Sequence, residues 1–236
     1  MKSVLTALLL SISLIFSSGM TSYAQDFQKG FRAAQSRDFA TALKEWTPLA
    51  EQGDASAQYN LGVLYHEGRN GITRDYKEAV KWWLKAAEQD HTEAQYNVGL
   101  MYERGRGIVQ DYKEAVKWYR KAAEKGDVDG QYSLGLMYGG GNGLVQDFKE
   151  AVYWYRKAAE QGDAAAQYSL GYAYDFGDGV ARDYVYAFMW LNLAASNGYL
   201  DAEEHKRGLK WEMTPLQLAE AQKLTFECVA KEYKGC

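Results

Sequence analysis

The hydrophobic positions of this chain recur at helical spacing within a segment, and the segment itself recurs along the chain. The first such segment places small or apolar residues at the i, i+4, i+7 and i+8 positions of one helical face, namely Ala57, Leu61, Leu64 and Tyr65. A second apolar stripe follows it, runs through Trp82 and ends in paired alanines. The pattern predicts two amphipathic helices joined by a turn.

This pair of predicted helices occurs four times, at intervals of about 36 residues, which lies in the range of helical repeat proteins. Such repeats stack in one dimension because a single helix pair cannot bury its apolar face alone. The periodicity therefore predicts an all-α fold, an α/α solenoid of stacked two-helix repeats. The predicted repeats are residues 57–93, 94–129, 130–165 and 166–201.

The residues between the predicted helices carry turn and capping signals. Most first helices follow a Gly-Asp pair, in which the glycine can end one helix in the left-handed region and the aspartate can cap the next. These pairs are Gly53-Asp54, Gly126-Asp127 and Gly162-Asp163, whereas the second repeat has Asp90-His91, which predicts a loop position for His91. The second helices open with Asp-x-x-Glu, which predicts capping boxes. These boxes run from Asp75 to Glu78, from Asp111 to Glu114 and from Asp147 to Glu150.

Glycines also lie inside the first helices and in the turns that follow them. A glycine inside a helix costs about 1 kcal/mol relative to alanine, so its recurrence predicts a close approach of neighbouring helices. The glycines inside helices are Gly62, Gly99, Gly135 and Gly171. The turn sequence Gly-Gly-Gly-Asn-Gly at residues 139–143 has the composition of a phosphate loop, but it follows a predicted helix and lacks a Lys-Ser/Thr partner. We therefore interpret it as a backbone turn with positive φ.

The segment before the repeats, residues 25–56, is predicted to be a degenerate repeat that caps the stack. It aligns with the repeats through Asp38, Ala42 and Ala50, but it lacks the glycine turn between its two helices. Pro48 lies inside its second helix, where proline removes a backbone donor, so we expect a kink or a shortened helix.

The segment after the repeats, residues 202–236, is predicted to be a C-terminal capping region. Thr214 and Gln217 have the spacing of a capping box at the start of a helix. The fourth repeat becomes apolar after Asp183, which indicates that it is buried against another element. Aromatic residues that replace charged or aliphatic ones of earlier repeats indicate contact with this C-terminal helix, and contact with a partner is the alternative. They are Tyr153, Tyr186 and Phe188.

The repeated motif is A-Q-Y-x-L-G-x-x-Y, then a G-x-G turn, then D-Y-x-x-A-x-x-W-Y-x-K-A-A-x-x-G-D. This pattern resembles the Sel1-like repeat family, whose α/α repeats are related to tetratricopeptide repeats, and it covers residues 57–201. The resemblance implies a protein-protein interaction scaffold of the bacterial envelope, with a role in signalling, secretion, motility or host contact. Enzymatic activity connected with penicillin binding has been proposed for cysteine-rich relatives. Those relatives carry a cysteine pair in each repeat, and the repeats of this chain contain no cysteine.

The first 24 residues have the layout of a secretory signal peptide. Lys2 precedes an apolar run from Val4 to Phe16, and small polar residues lead to Ala24, after which we expect cleavage. A retained membrane anchor is the alternative, but a membrane span needs about 20 apolar residues. The protein is therefore predicted to be periplasmic or secreted, without an integral membrane segment after cleavage.

Composition and charge narrow the possible partners. The 236 residues are 47% hydrophobic and 25% charged, with a formal net charge of −4 and no prominent run of Lys or Arg. This balance disfavours nucleic acid and anionic membrane surfaces as partners. The only cysteines, Cys228 and Cys236, form a candidate disulfide in an exported chain, and two free thiols are the alternative.

No set of residues in the sequence has the spacing of a catalytic or metal site. His66, His91 and His205 lie in different segments and lack a metal-ligand spacing such as HxxxH. Asp175 and Asp178 flank a turn glycine but lack the register of an EF-hand. We therefore predict no enzymatic activity, no metal and no cofactor.

The first helices carry the candidate partner-binding site. In the family that this chain resembles, first helices commonly line the concave side of the solenoid, so residues opposite Leu61 are expected to form a groove there. Exposed apolar and aromatic residues are typical of binding surfaces, although the tyrosines recur in every repeat and could equally pack between repeats. The candidate residues are Tyr59, Val63, His66, Tyr96, Leu100, Glu103, Tyr132, Leu136, Tyr168, Tyr172 and Asp175.

The leading hypothesis from the sequence is a non-enzymatic, exported scaffold that binds a protein or peptide through this concave face. A second hypothesis is a peptidoglycan- or glycan-binding protein that modulates a cell-wall enzyme, because aromatic rings beside Asn and Asp can stack on sugars. A third hypothesis, a hydrolase of cell-wall material, is disfavoured because the sequence contains no catalytic constellation.

Overall fold

Helices and short connections make up the described chain. The computed structural model describes residues 26–68 and 71–236, and these residues contain no strand. They divide into two units, one that ends at Val109 and one that runs from Gln110 to Cys236. The predicted signal peptide, with cleavage after Ala24, lies outside the described residues. Within the described ranges, no helix is both long and apolar enough to cross a membrane.

The first unit is a series of helices in which each packs against the next. Helix α1 covers residues 26–35. The others are α2 (Phe39–Glu51), α3 (Ala55–Glu67), α4 (Tyr76–Glu88) and α5 (Thr92–Arg104). The indole Nε1 of Trp46 donates a hydrogen bond to the Phe27 carbonyl at 3.3 Å, which joins α2 to α1. Together α1 and α2 form the N-terminal helix pair.

The second unit has the same alternation of helices and adds two helices at its C-terminus. The repeat helices are α6 (Tyr112–Glu124), α7 (Val128–Gly140), α8 (Phe148–Ala159), α9 (Ala164–Phe176) and α10 (Tyr184–Ser196). The added elements are α11 (Leu200–Leu209), a 3-10 turn (Lys210–Glu212) and α12 (Pro215–Ala230). Helix α10 packs against α9, α11 and α12. Each unit is therefore an all-α stack of helix pairs, as the periodicity predicts.

Aspartates start most first helices, as their positions in the sequence predict. The carboxylates of Asp54, Asp127 and Asp163 accept hydrogen bonds from backbone N–H groups in the first turns of α3, α7 and α9. The glycines directly before them all have positive φ. His91 precedes α5 without a side-chain capping bond, which agrees with its predicted loop position.

The predicted capping boxes of the second helices form only in part. The Asp75 carboxylate accepts from the backbone N–H groups of Lys77 and Glu78. The reciprocal bond is missing, because the Asp75 N–H donates to the Tyr65 carbonyl at 2.8 Å instead. The Glu78 carboxylate pairs with Lys81 at 3.0 Å. The Asp75 N–H, which would donate to the Glu78 carboxylate in a complete capping box, thus donates to a carbonyl of the preceding helix α3.

Glycines inside the first helices lie against side chains of the second helices. A Cβ built on Gly135 would lie 2.6 Å from the ring of Tyr155, and one built on Gly171 would lie 2.9 Å from Leu191. Gly62 meets the Trp83 ring in the same way. The close approach predicted from these glycines is therefore confirmed.

A buried glutamine ties each first helix to the helix before it. The side-chain Nε2 of each donates to the carbonyl of the alanine eight residues earlier, at 2.9 to 3.2 Å. These glutamines are Gln58, Gln95, Gln131 and Gln167. The A-Q-Y motif shows where these glutamines recur, but only the packed structure shows that they bond to the preceding helix.

Pro48 lies inside α2 without shortening it. Helix α2 has 13 residues, as many as α4, so the predicted shortening is wrong. A proline removes its own backbone donor, but the Pro48 carbonyl still accepts from the Gln52 N–H at 3.2 Å. The helix therefore ends in the regular way.

The aromatic residues of the late repeats differ in their contacts with the C-terminal helices. Phe188 packs in a core cluster with Leu209 and Met213, and Tyr186 packs beside Cys228. Tyr153 is 50% exposed and lies edge-on to Trp154. The predicted contact with the C-terminal region therefore holds for Phe188 and Tyr186, while Tyr153 lies on the exposed side of α8.

The C-terminal region is closed by local bonds. Thr214 and Gln217 form the predicted capping box at the start of α12. Cys228 and Cys236 are joined by a disulfide with an S–S distance of 2.03 Å. Within the closed loop, the Tyr233 hydroxyl donates to Asn197 Oδ1 at 3.2 Å. The disulfide thus holds the chain end near the C-terminus of α10.

Candidate functional site

One position on each first helix carries an apolar side chain directly after the buried glycine. These residues are Phe31, Val63 and Leu100 in the first unit and Leu136 and Tyr172 in the second, and we call them the groove positions. Phe31, Leu136 and Tyr172 are 44%, 43% and 42% exposed, while Val63 and Leu100 are half-buried. Large apolar side chains that stay this open are available to a partner.

In the second unit, a cavity of about 310 Å³ opens beside two groove positions, between α7, α8 and α9. Most of the side chains that line it are apolar or aromatic, which is typical of pockets that accept an apolar group. The lining residues are Leu136, Gly139, Gly140, Phe148, Ala151, Val152, Tyr155, Tyr168, Ser169, Tyr172, Ala173 and Asp178.

Aromatic rings surround this cavity. Tyr172 packs against Phe176 with ring centroids 4.4 Å apart, and Phe148 on the cavity wall is 40% exposed. Tyr155, which also lines the cavity, packs against Tyr132 with centroids 5.9 Å apart. Burial raises the pKa of both hydroxyls, Tyr132 and Tyr155, because it disfavours the phenolate. Both rings therefore remain neutral at physiological pH.

A cavity of about 260 Å³ lies at the same register in the first unit, between α1, α2 and α3. Trp46 takes the place that Tyr155 has in the second unit, because each ring lies against the glycine of a first helix, Gly30 or Gly135. A site of the same kind therefore occurs in each unit. The lining residues are Phe31, Ala34, Gln35, Phe39, Trp46, Asn60, Val63, Leu64 and Glu67.

Most residues that line these cavities were not among those predicted from the sequence, and two of them, Phe31 and Phe148, are exposed aromatic side chains. Phe31 follows Gly30 in the same way that Val63 follows Gly62, so the Gly-apolar dipeptide is a signal that could have identified it. Phe148 follows the N-cap Asp147, and its exposure depends on the surrounding helices rather than on its own sequence.

A family comparison matches most of the repeated region. The Sel1 repeat family matches residues 55–91, 92–127, 128–163 and 164–199. The protein belongs to the Sel1 repeat family. Each matched Sel1 repeat begins at the first residue of a first helix, which is α3, α5, α7 or α9. Four of the groove positions thus recur at one register of the Sel1 repeat, while Phe31 lies before the first matched repeat.

Two solved structures of Sel1 repeat proteins resemble this chain. One is a protective antigen present in uropathogenic Escherichia coli strains and displaying an SLR fold, with 34% identity, a TM-score of 0.82, and coverage of 93% of this chain and 49% of that chain. The other is a Sel1 repeat protein from Oxalobacter formigenes, with 37% identity, a TM-score of 0.70, and coverage of 75% and 70%. This chain therefore spans about half the length of the E. coli antigen. A comparison with curated proteins found no match.

Two tyrosines of the candidate set stack on the last residue of their own Sel1 repeat. Tyr59 stacks on His91 and Tyr168 stacks on Tyr199, with ring centroids 4.6 Å apart in both pairs. His91 and Tyr199 each stand directly before the helix that opens the next pair. These two tyrosines thus pack against the residue that precedes the next helix, and Tyr168 in addition lines the cavity of the second unit.

Two polar candidates have partners within their own unit. His66 packs against Tyr76 and Trp83, with ring centroids 5.4 and 5.3 Å away, and burial lowers its pKa. Asp175 is only 8% exposed, and its Oδ2 lies 2.9 Å from His205 Nε2. The Asp175 carboxylate is therefore buried and bonded to His205, so it is not an accessible contact for a partner. The sequence pattern, by contrast, predicts it as a candidate contact.

The three candidates on α5 lie on the first-helix register of the first unit. Tyr96, Leu100 and Glu103 are all half-buried. They therefore offer a partner less surface than Phe31, Leu136 or Tyr172.

The groove positions present apolar and aromatic side chains. In the described part of the chain, no group of three or more His, Cys, Asp or Glu could hold a metal ion. The cavity beside Leu136 and Tyr172 offers mainly apolar contact. Proteins built from Sel1 repeats are commonly non-catalytic scaffolds for protein-protein interaction.

Proposed function

We propose that this protein is a non-enzymatic, exported scaffold that binds a protein partner through its groove positions. The Sel1 repeats supply the general class, because such repeats commonly mediate protein-protein interaction. The observation that carries the proposal is the cavity of about 310 Å³ in the second unit, with the side chains of Leu136 and Tyr172 among those that line it.

An apolar side chain of the partner fits this cavity. Leu136 and Tyr172 are 43% and 42% exposed, so covering them adds hydrophobic free energy at about 25 cal/mol per Å² of apolar surface. Tyrosine is frequent at binding hot spots because its ring gives a large contact area for little loss of rotamer entropy.

Two observations support export. The first 24 residues have the order of charge, apolar run and small residues that signal peptides have. The disulfide between Cys228 and Cys236 is the kind of bond that persists in an oxidising compartment. Export is tested by N-terminal sequencing of the protein from cells, where we expect Gln25 as the first residue. A membrane-bound chain that still begins at Met1 would contradict it.

The binding proposal is tested by quantitative affinity capture from envelope extracts. The test variant combines Leu136→Asp with Tyr172→Asp, which places charges beside the cavity. The matched control is Tyr153→Asp, because Tyr153 is an equally exposed tyrosine of the same unit that does not line the cavity. We expect the control to retain the wild-type partner and the test variant to lose it, with unchanged circular dichroism for both.

Two outcomes would overturn the proposal. One is a partner that the test variant and the control retain equally well. The other is co-sedimentation with insoluble peptidoglycan that depends on Leu136 and Tyr172, which would make the protein a glycan binder instead.

A further inference from the structure

Helix α12 carries an exposed apolar face on an element separate from the groove positions. Leu216 is 79% exposed and Phe226 is 76% exposed. The opposite side of the helix is buried through Ala221 and Cys228. Terminal elements of repeat stacks usually present a polar outer face, so two apolar side chains this open at the end of the stack are unusual.

These two side chains lie on one side of the helix. They are ten residues apart, which is about 15 Å along the axis. Ala219 and Lys223 lie between them and are exposed as well. Trp211, directly before α12, is 88% exposed and adds further apolar surface at this end of the chain. The fold of the described residues leaves all of this apolar surface uncovered.

One pair of opposite charges on α12 is centred within half a residue of the midpoint of its two apolar side chains. Leu216 and Phe226 are equally distant along the helix from position 221. Glu220 and Lys223 lie on the two sides of a point between positions 221 and 222, and both are exposed. Consider two copies of α12 that run antiparallel and are related by a two-fold axis at this level. Leu216 of one copy then lies opposite Phe226 of the other, and Glu220 of one copy lies near Lys223 of the other.

We infer that α12 pairs in antiparallel orientation with α12 of a second copy of this chain. In the pair, Leu216 of each copy packs on Phe226 of the other, and Glu220 of each copy lies beside Lys223 of the other. Each contact is made twice, as in any two-fold interface. A parallel pairing would set Lys223 against Lys223 and Glu220 against Glu220, so the charges select the antiparallel orientation.

The test is sedimentation equilibrium of the purified protein over a range of concentrations. We expect the wild type to approach twice the chain mass as concentration rises. The double variant Leu216→Glu with Phe226→Glu is expected to remain at the mass of one chain. The control is Val145→Glu, because Val145 is an 87% exposed apolar residue in the turn between α7 and α8. This control is expected to dimerise like the wild type.

Charge reversal tests the register of the pair. Lys223→Glu places a carboxylate beside Glu220 of the other copy, and this repulsive contact occurs twice in the dimer. We therefore expect the dimer dissociation constant to rise about tenfold. The combination of Glu220→Lys with Lys223→Glu restores opposite charges across the interface, so we expect it to recover most of the affinity. Lys223 also pairs with Glu227 of its own helix at 3.7 Å, and positions 220 and 223 are neighbours on one helix. Circular dichroism of each variant therefore tests for a change within α12 itself.

The inference is overturned if the wild type stays at the mass of one chain at every concentration, because a different partner then covers α12. It is also overturned if the Leu216 and Phe226 double variant still dimerises. Failure of charge rescue would exclude the antiparallel register. None of these results depends on the groove positions, so the proposed function is tested separately.

Discussion

The side-chain Nε2 of Gln167 donates a hydrogen bond to the backbone carbonyl of Ala159 at 3.2 Å. The Gln167 side chain is completely buried, and its Oε1 accepts a hydrogen bond from Asn197 Nδ2 at 2.9 Å. A single amide thus connects the end of α8, the start of α9 and the end of α10. Because it spans two repeats, this side chain holds the stack together as well as its own helix pair.

Replacement of Gln167 should therefore destabilise the protein. Gln167→Ala leaves buried polar groups without partners, so we expect the free energy of unfolding to fall by about 1–3 kcal/mol. Urea unfolding followed by circular dichroism measures this change. Gln222→Ala, on the exposed side of α12, is the control and should change stability by less than about 0.5 kcal/mol. An equal effect of the two substitutions would contradict the role of the buried amide.

Two glycines inside helices should respond to alanine in opposite directions. In Gly135→Ala the new methyl group would lie 2.6 Å from the Tyr155 ring, so we expect a loss of about 1–3 kcal/mol from overpacking. Gly208 lies in α11 with no atom within 4 Å of such a methyl group. Gly208→Ala should therefore stabilise the protein by about 0.5–1 kcal/mol, because alanine loses less backbone entropy in a helix. The melting temperature tests this prediction: it should fall for Gly135→Ala and rise for Gly208→Ala. A shift in the same direction for both would refute the argument.

The disulfide at the chain end should contribute to stability. Cys228 and Cys236 are eight residues apart, and closing a loop of this size stabilises by about 2–3 kcal/mol in the chain-entropy model. We expect the double Cys228→Ser and Cys236→Ser variant to lose about this much in urea unfolding. Adding reductant to the wild type should reproduce the loss and should leave the serine variant unchanged. A reductant effect on the serine variant would show that the loss has another origin.

The buried position of His66 predicts a pH dependence of stability. Burial lowers the pKa of His66 below its ordinary value of 6.5, so the unfolded chain binds a proton more tightly than the folded chain. The contribution of neutral His66 to folding stability is therefore complete above pH 6.5. It is lost as the pH falls below 6.5 toward the lower pKa of the folded state. His66→Phe keeps a ring beside Trp83 and cannot be protonated. We expect its melting temperature to fall less than that of the wild type between pH 7.5 and pH 5.5. Parallel curves for the two proteins would contradict the prediction.

Most of the helical architecture could be predicted from the sequence because its determinants are local. The Asp54 carboxylate and the amide that it caps lie within one turn of each other. The glutamate half of the capping box failed because the Asp75 N–H bonds to the Tyr65 carbonyl, ten residues earlier in the chain. A local motif cannot show that a neighbouring helix competes for the same donor.

The sequence predicts which repeat position carries the candidate binding residues, but it does not predict which of their side chains are exposed. The sequence by itself determined that Val63, Leu136 and Tyr172 recur at one position of the repeat, because helical periodicity depends only on residues within a few turns. Tertiary structure alone decided that Leu136 and Tyr172 stay open beside a cavity while Asp175 is buried against His205. The physical reason is that exposure depends on side chains from three helices, and the sequence does not show which of them cover a given residue.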